Sequence, residues 1–115
     1  MFETIFSDIH RRNPETYLIG VWGRDGLELE KATYLPPSMN VDLLGAELAD
    51  ILAKLDHLEV TSADVCIEYN LGQFKIFVYS LNPEYFLLLV SSQSQITGKL
   101  KFYLNLKKND ILSCL

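Results

Sequence analysis

The sequence predicts an α+β domain in the order α-β-β-α-β-β-β-α, with one five-stranded antiparallel sheet and helices on both of its faces. Two observations carry that prediction. Stretches with strand patterning are separated by tight turn signals, and they alternate with segments of helical spacing. The chain has 115 residues, 49% of them hydrophobic, enough for one core and too few for two. Residues 1–115 are therefore expected to form a single domain.

Phe2, Ile5, Phe6 and Ile9 fall at i, i+3, i+4 and i+7, so the chain opens with an amphipathic helix. Asn13-Pro14 ends it, because the residue before a proline is pushed out of the α region. Tyr17–Trp22 is an almost unbroken apolar, β-branched and aromatic run, the pattern of a strand covered on both faces. Asp25-Gly26 supplies the positive φ of a tight hairpin turn. Leu27–Thr33 then alternates Leu27 and Leu29 against Glu28 and Glu30, as a half-exposed edge strand does, until Pro36-Pro37 breaks the pattern.

The clearest helix spans Val41–Leu58, with Asn40 as its cap and Asp42 in the first turn, where the helix dipole favours an acid. Leu44, Leu48, Ile51, Leu52, Leu55 and Leu58 form an apolar stripe, and Glu47, Asp50, Lys54 and His57 a polar face. Gly45, Ala46, Ala49 and Ala53 line up as a strip of small residues. Alanine is a good helix former, but Gly45 costs about 1 kcal/mol relative to alanine, and small residues let another backbone come close. The strip is thus either a matter of propensity or a contact surface.

Three strands follow Thr61-Ser62. Val65–Leu71 alternates, with Cys66, Glu68 and Asn70 on its wetter face. Phe74–Leu81 is apolar on both faces, and Tyr85–Val90 is apolar throughout. The most hydrophobic strands belong at the middle of a sheet. That places 85–91 centrally, 17–22 and 74–81 beside it, and 27–33 and 65–71 at the edges. The last segment is ambiguous: Leu100, Phe102, Leu104 and Leu106 alternate as in a strand, whereas Ile96, Leu100, Tyr103, Leu104 and Ile111 keep helical spacing. Its proline-free length from Gln95 to Ser113 favours a helix capped by Ser94, with Gly98 as the discordant residue.

Chemistry-bearing constellations are missing from the sequence. His10 and His57 lie in no cluster with metal-ligand spacing, so they read as surface histidines, and neither a metal nor a cofactor is expected. Gly98-Lys99 is not a phosphate loop, since Gln93 stands where a glycine is needed and Leu100 where Ser or Thr is needed. Glu28 and Glu30 read as solvated charges. Phe6, Trp22, Phe74, Phe77 and Phe86 follow core periodicity without interleaved Arg or Lys, which argues against nucleic acid. So does the net charge of −5. The charge is uneven: residues 1–70 carry five Lys/Arg against thirteen Asp/Glu, and residues 71–115 five against two, with Lys99, Lys101, Lys107 and Lys108 clustered. No apolar run approaches the ~20 residues of a membrane span. With two cysteines, no basic-then-apolar leader and no glycosylation sequon, the expectation is a soluble cytoplasmic protein. No active site of its own is expected; the composition points to an interaction module.

The element order, Gly23-Arg24-Asp25-Gly26-Leu27 between the first two strands, Leu44-Gly45-Ala46-Glu47-Leu48-Ala49, Glu84-Tyr85-Phe86-Leu87-Leu88-Leu89-Val90 and Gly98-Lys99-Leu100 together resemble the Roadblock/dynein light-chain superfamily. The likeness covers Phe2 to about Asp110 and is nearest in type to bacterial MglB-like regulators of Ras-like small GTPases, proteins of cell polarity. It implies that the last segment is a helix. It also implies a homodimer, with the strand-65–71 equivalents (Val65, Cys66, Ile67, Glu68, Tyr69, Asn70 and Leu71) paired edge to edge into a ten-stranded sheet and the equivalents of helix 41–58 side by side. Those paired helices would form the GTPase-binding platform, here Asp42, Gly45, Ala46, Ala49, Asp50 and Ala53, and would stimulate hydrolysis without an arginine from the regulator. On that reading Ala49→Arg should block the partner and spare the fold. The chain ends at Leu115, so a role for a longer C-terminal tail is not implied. A Roadblock-type scaffold or motor light chain that leaves nucleotide turnover unchanged is the alternative. A small-ligand sensor is a third reading, disfavoured by the apolar central strand.

Overall fold

The computed structural model describes residues 1–58 and 66–115. Its elements run α1 (Phe2–Arg12), β1 (Thr16–Gly23), β2 (Glu28–Thr33), α2 (Val41–Leu55), β3 (Cys66–Leu71), β4 (Phe74–Ser80), β5 (Tyr85–Ser92) and α3 (Thr97–Ser113). The strands form one antiparallel sheet in the order β2-β1-β5-β4-β3. The expected placement of 85–91 at the centre and of 27–33 and 65–71 at the edges is what the sheet has; Val65 and Thr61-Ser62 lie outside the described residues.

Strand alternation divides the core into two layers. Ile19, Val21, Phe77, Leu87 and Leu89 point to the side covered by α1 and α3, where they meet Phe6, Ile9, Leu100, Leu104 and Ile111. Leu18, Trp22, Ile76, Val78, Phe86 and Leu88 point to the other side and meet Leu48, Ala49 and Leu52 of α2. Burial on both faces is why β1, β4 and β5 read as near-continuous apolar runs.

Local chemistry ends each element. The Leu43 N–H donates to Asn40 Oδ1 at 3.0 Å, capping α2 as its sequence predicts. Asn13 ends α1, its Nδ2 donating to the Ile9 carbonyl at 3.0 Å. Asn82 Oδ1 accepts the N–H groups of Glu84 and Tyr85, each at 2.8 Å, which turns β4 into β5. Gly26 has φ +88° and Gly72 φ +61°, the left-handed turn conformations that glycine adopts without steric cost.

The structure corrects four expectations. Helix 41–58 is α-helical only to Leu55, and Asp56–Leu58 tightens into a 3-10 turn. The alternation of β2 is broken by a β-bulge: Val21 pairs with Glu30 and Trp22 with Glu28, so Leu29 is skipped, and both Leu27 and Leu29 stay exposed. Ser94 does not cap α3, which starts at Thr97; its hydroxyl donates instead to Glu15 Oε2 at 2.9 Å. Gly98 accordingly falls in the first turn of α3 and not in its interior. His10 is no plain surface histidine, because its ring stacks on Tyr34 at 3.8 Å and its Nδ1 lies 2.9 Å from the Thr16 carbonyl oxygen.

Trp22 is fully buried under α2. A Cβ added at Gly45 would lie 2.3 Å from Trp22 Nε1, and one added at Gly20 would lie 2.4 Å from Trp22 Cζ3. The indole thus occupies the space of two missing side chains, and Gly45→Ala should overpack it at a cost of about 1–3 kcal/mol. Urea denaturation measures this cost, and in a Trp22→Leu background the same substitution should be nearly neutral.

Glu15 ties the start of β1 to the end of β5, accepting hydrogen bonds from the hydroxyls of Ser92 and Ser94. Those two bonds hold its carboxyl below the ordinary value of 4.5, against a small opposing effect of burial. A depressed folded-state pKa stabilises above the unfolded value, and that gain is lost as pH falls through the folded value. Glu15→Gln should therefore flatten the acid limb of the stability–pH curve below about pH 4.5.

Candidate partner-binding surface

Among the described residues α2 is the one helix on its face of the sheet, and no other element covers its outward side. Its buried positions are Gly45, Leu48, Ala49 and Leu52, spaced i, i+3, i+4 and i+7. This divides the strip of small residues. Gly45 and Ala49 face the sheet, with Ala49 only 4% exposed, whereas Ala46 and Ala53 face solvent. The bulk of Trp22 is the physical reason: the helix meets the sheet through Gly45 and Ala49 beside Leu48 and Leu52, so only one edge of the leucine stripe is buried. Ile51 and Leu58, expected in the buried stripe, are exposed.

Outward-facing α2 thus presents Asp42, Ala46, Asp50 and Ala53 of the expected platform, together with Leu43 at 57% and Ile51 at 42% exposure. Asp50 pairs with Lys54 at 3.0 Å along the helix, an exposed i,i+4 pair worth a few tenths of a kcal/mol (~0.3–0.5). Beside the first half of α2 lies an open groove of about 840 Å³, lined by Trp22, Gly26, Leu27, Glu28, Leu43 and Ala46 among others.

β3 pairs with β4 on one side and with no described strand on the other. Ile67 and Tyr69 point toward the α2 layer and are half-buried. Cys66 packs on the α1/α3 layer, where burial pushes its thiol pKa up, with Lys101 opposing and Glu68 adding to the rise. Burial likewise raises the Tyr69 phenol. Glu68 accepts a hydrogen bond from the Thr97 hydroxyl at 2.8 Å and lies 3.6 Å from Lys75 Nζ, so it braces the strand against α3 and β4. Asn70 and Leu71 are exposed. Neither proline nor lysine interrupts this edge, the devices that commonly block pairing with another chain.

The arginines are placed away from the α2 face or tied down. Arg11 and Arg12 lie on α1, across the sheet, and Arg11 pairs with Asp8 at 2.8 Å. Arg24 spans the end of the sheet: Nη2 donates to Ser80 Oγ at 3.0 Å and Nη1 lies 3.5 Å from Asp56 Oδ2. Its Nε is buried without a hydrogen-bond partner among the described residues. The sequence placed Arg24 on a turn; its service as a strut under the end of α2 needed the tertiary structure. Among the described residues no three His, Cys, Asp or Glu side chains converge on a point where a metal ion would sit. No described helix is long and apolar enough to cross a membrane.

An antiparallel sheet in the order β2-β1-β5-β4-β3, with one helix on one face and two on the other, is the Roadblock/LC7 fold, of the form seen in MglB. The gliding protein MglB from Thermus thermophilus superposes with a TM-score of 0.76, over 92% of this chain and 82% of that one, at 16% identity. MglC from Myxococcus xanthus gives 0.70 over 99% and 98% at 18% identity, and a Roadblock/LC7 domain from Streptomyces avermitilis gives 0.73 over 93% and 91% at 17%. At such identities the likeness is one of fold. By sequence, no family model and no curated protein matches the chain.

The burial of Ala49 reverses the expectation for Ala49→Arg. That arginine would enter the α2–sheet layer and should destabilise the protein by about 3 kcal/mol or more, through overpacking and an unpaired buried charge. Ala53→Arg, on the exposed side, should change stability by no more than about 0.5 kcal/mol. Thermal melts of the two variants separate the inner and outer halves of the strip.

Proposed function

We propose that this chain is a non-catalytic, homodimeric regulator that receives a Ras-like small GTPase on its paired α2 helices and modulates GTP hydrolysis there. The observation that carries the reading is the outward side of α2, where Leu43 and Ile51 stand uncovered among the carboxylates of Asp42 and Asp50. Isolated exposed apolar residues are ordinary, but two on one unpartnered helix, next to an open strand edge, suit an interface. The platform is Asp42, Ala46, Asp50 and Ala53; Gly45 and Ala49 support it from beneath by letting α2 sit close to the sheet. The twofold joins β3 to β3 through residues 65–71, an isologous pairing of the commonest kind.

The GTPase comes from the Roadblock resemblance and the MglB-like fold. One of the similar MglB structures has a tetrameric arrangement, in keeping with assembly through exposed faces of this fold. Regulation without an arginine finger fits the three arginines, since Arg24 is engaged with Ser80 and Asp56 and the other two lie across the sheet. The chain would act by reshaping the GTPase's own switch segments and would work in the cytoplasm.

Single-turnover GTP hydrolysis by a bacterial Ras-like GTPase of the kind MglB-like regulators act on, with and without this chain, is the test. Acceleration is expected, from a regulator that sediments at twice 13.1 kDa. Ala53→Arg should remain a folded dimer and weaken binding about tenfold or more, as a bulky charge in a desolvated contact does. Binding without any change in turnover would instead make the chain a scaffold of the same fold. A monomer at micromolar concentration would refute the shared platform.

A further inference from the structure

Helix α3 buries Leu100, Leu104 and Ile111 and turns Lys99, Phe102 and Leu106 outward, at i, i+3 and i+7. Phe102 is 67% and Leu106 60% exposed, and at i, i+4 they are neighbours on the helix surface. Lys99 and Lys101 beside them form no ion pair among the described residues, whereas Lys107 lies 3.6 Å from Asp8. The result is an apolar ridge with positive charge at one end, on a chain of net charge −5.

The opposite face of the sheet carries its counterpart. The groove of about 840 Å³ between the β1–β2 turn and the first half of α2 offers Leu27, Leu43 and Ala46 as apolar walls and Glu28 and Asp42 as an acidic rim. Leu27 is 69% exposed. Glu28 lies 3.1 Å from Lys31, while Asp42 forms no ion pair among the described residues. Ridge and groove match in both respects, apolar against apolar and lysine against carboxylate. The sheet stands between them, so a chain cannot close its ridge on its own groove. The groove lies by β2 and the open edge at β3, at opposite ends of the sheet.

We propose that the α3 ridge of one copy docks in the α2 groove of a second copy, a head-to-tail contact in which Phe102 and Leu106 lie against Leu27 and Leu43, and Lys99 meets Asp42. Such a contact is heterologous and links copies beyond any twofold dimer. It covers Asp42 and Ala46, so it would compete with the GTPase. That regulatory consequence rests on the function proposed above; the self-contact does not.

Sedimentation velocity of the full chain, with no GTPase present, tests the contact. The expected result is an assembly larger than a two-chain particle that grows with concentration and recedes when salt screens the rim charges. Phe102→Glu and Leu27→Glu, both at exposed positions, should each weaken it about tenfold or more, as loss of a central anchor does. Lys99→Glu and Asp42→Lys should each fail alone, and an equimolar mixture of the two should assemble again. Absence of any such assembly, or assembly that these substitutions leave unchanged, would overturn the proposal. So would Phe102-dependent binding to phosphatidylserine vesicles by a chain that does not self-assemble, since the ridge would then be a lipid-facing surface. A fault in the dimer reading would show separately, as a monomeric Phe102→Glu variant. A fault in the GTPase reading would show only in hydrolysis.

Discussion

The seat of the Trp22 indole between Gly20 and Gly45 sets how α2 meets the sheet, and the character of the α2 surface follows from it. An indole buries roughly 150–250 Å², worth about 4–6 kcal/mol at ~25 cal/mol per Å². That gain is realised only if β1 and α2 both lack a side chain where the ring lies, as the close approaches at Gly20 and Gly45 indicate. With α2 seated on Gly45 and Ala49, the opposite side of the helix carries Leu43, Asp50 and Lys54 into solvent. A core constraint thereby decides which residues are available to a partner.

The two layers do different work. On the α1/α3 side, two helices cover the sheet and are laced to it by polar contacts. Tyr79 donates to Asn105, Thr97 to Glu68, and the end of β5 is drawn to Glu15 through Ser92 and Ser94. On the α2 side, among the described residues, a single helix covers the sheet and leaves a groove by the β1–β2 turn and β3 unpaired at the edge. Unfilled surface on one side is thus set against a braced layer on the other. Charge follows the same division, with acids on α2 and β2 and lysines on α3.

Strand order was legible because burial on both faces leaves a continuous apolar run, which β1, β4 and β5 have and β2 and β3 lack. Helix ends were legible where one residue does the work, as Asn40 and Asn13 do. Less was legible wherever two elements meet. The bulge that skips Leu29 depends on the register of β1 against β2, and an alternating Leu-Glu pattern cannot encode a one-residue slip between strands. Arg24 was identifiable only as a turn residue, because its partners Ser80 and Asp56 are far away in sequence.

By itself the sequence determined the α+β class, the order of the strands, and the presence on α2 of a strip of small residues. These follow from periodicity and composition, which act locally along the chain. Tertiary structure alone decided which way the strip faces. Apolar periodicity on α2 allows burial centred on the leucine stripe or shifted toward Gly45 and Ala49 with only Leu48 and Leu52 of that stripe kept inside, and the two choices differ by a rotation of the helix. The ring of Trp22, brought beneath the helix from a distant strand, selects the second, because a Cβ at position 45 would fall within 2.3 Å of it.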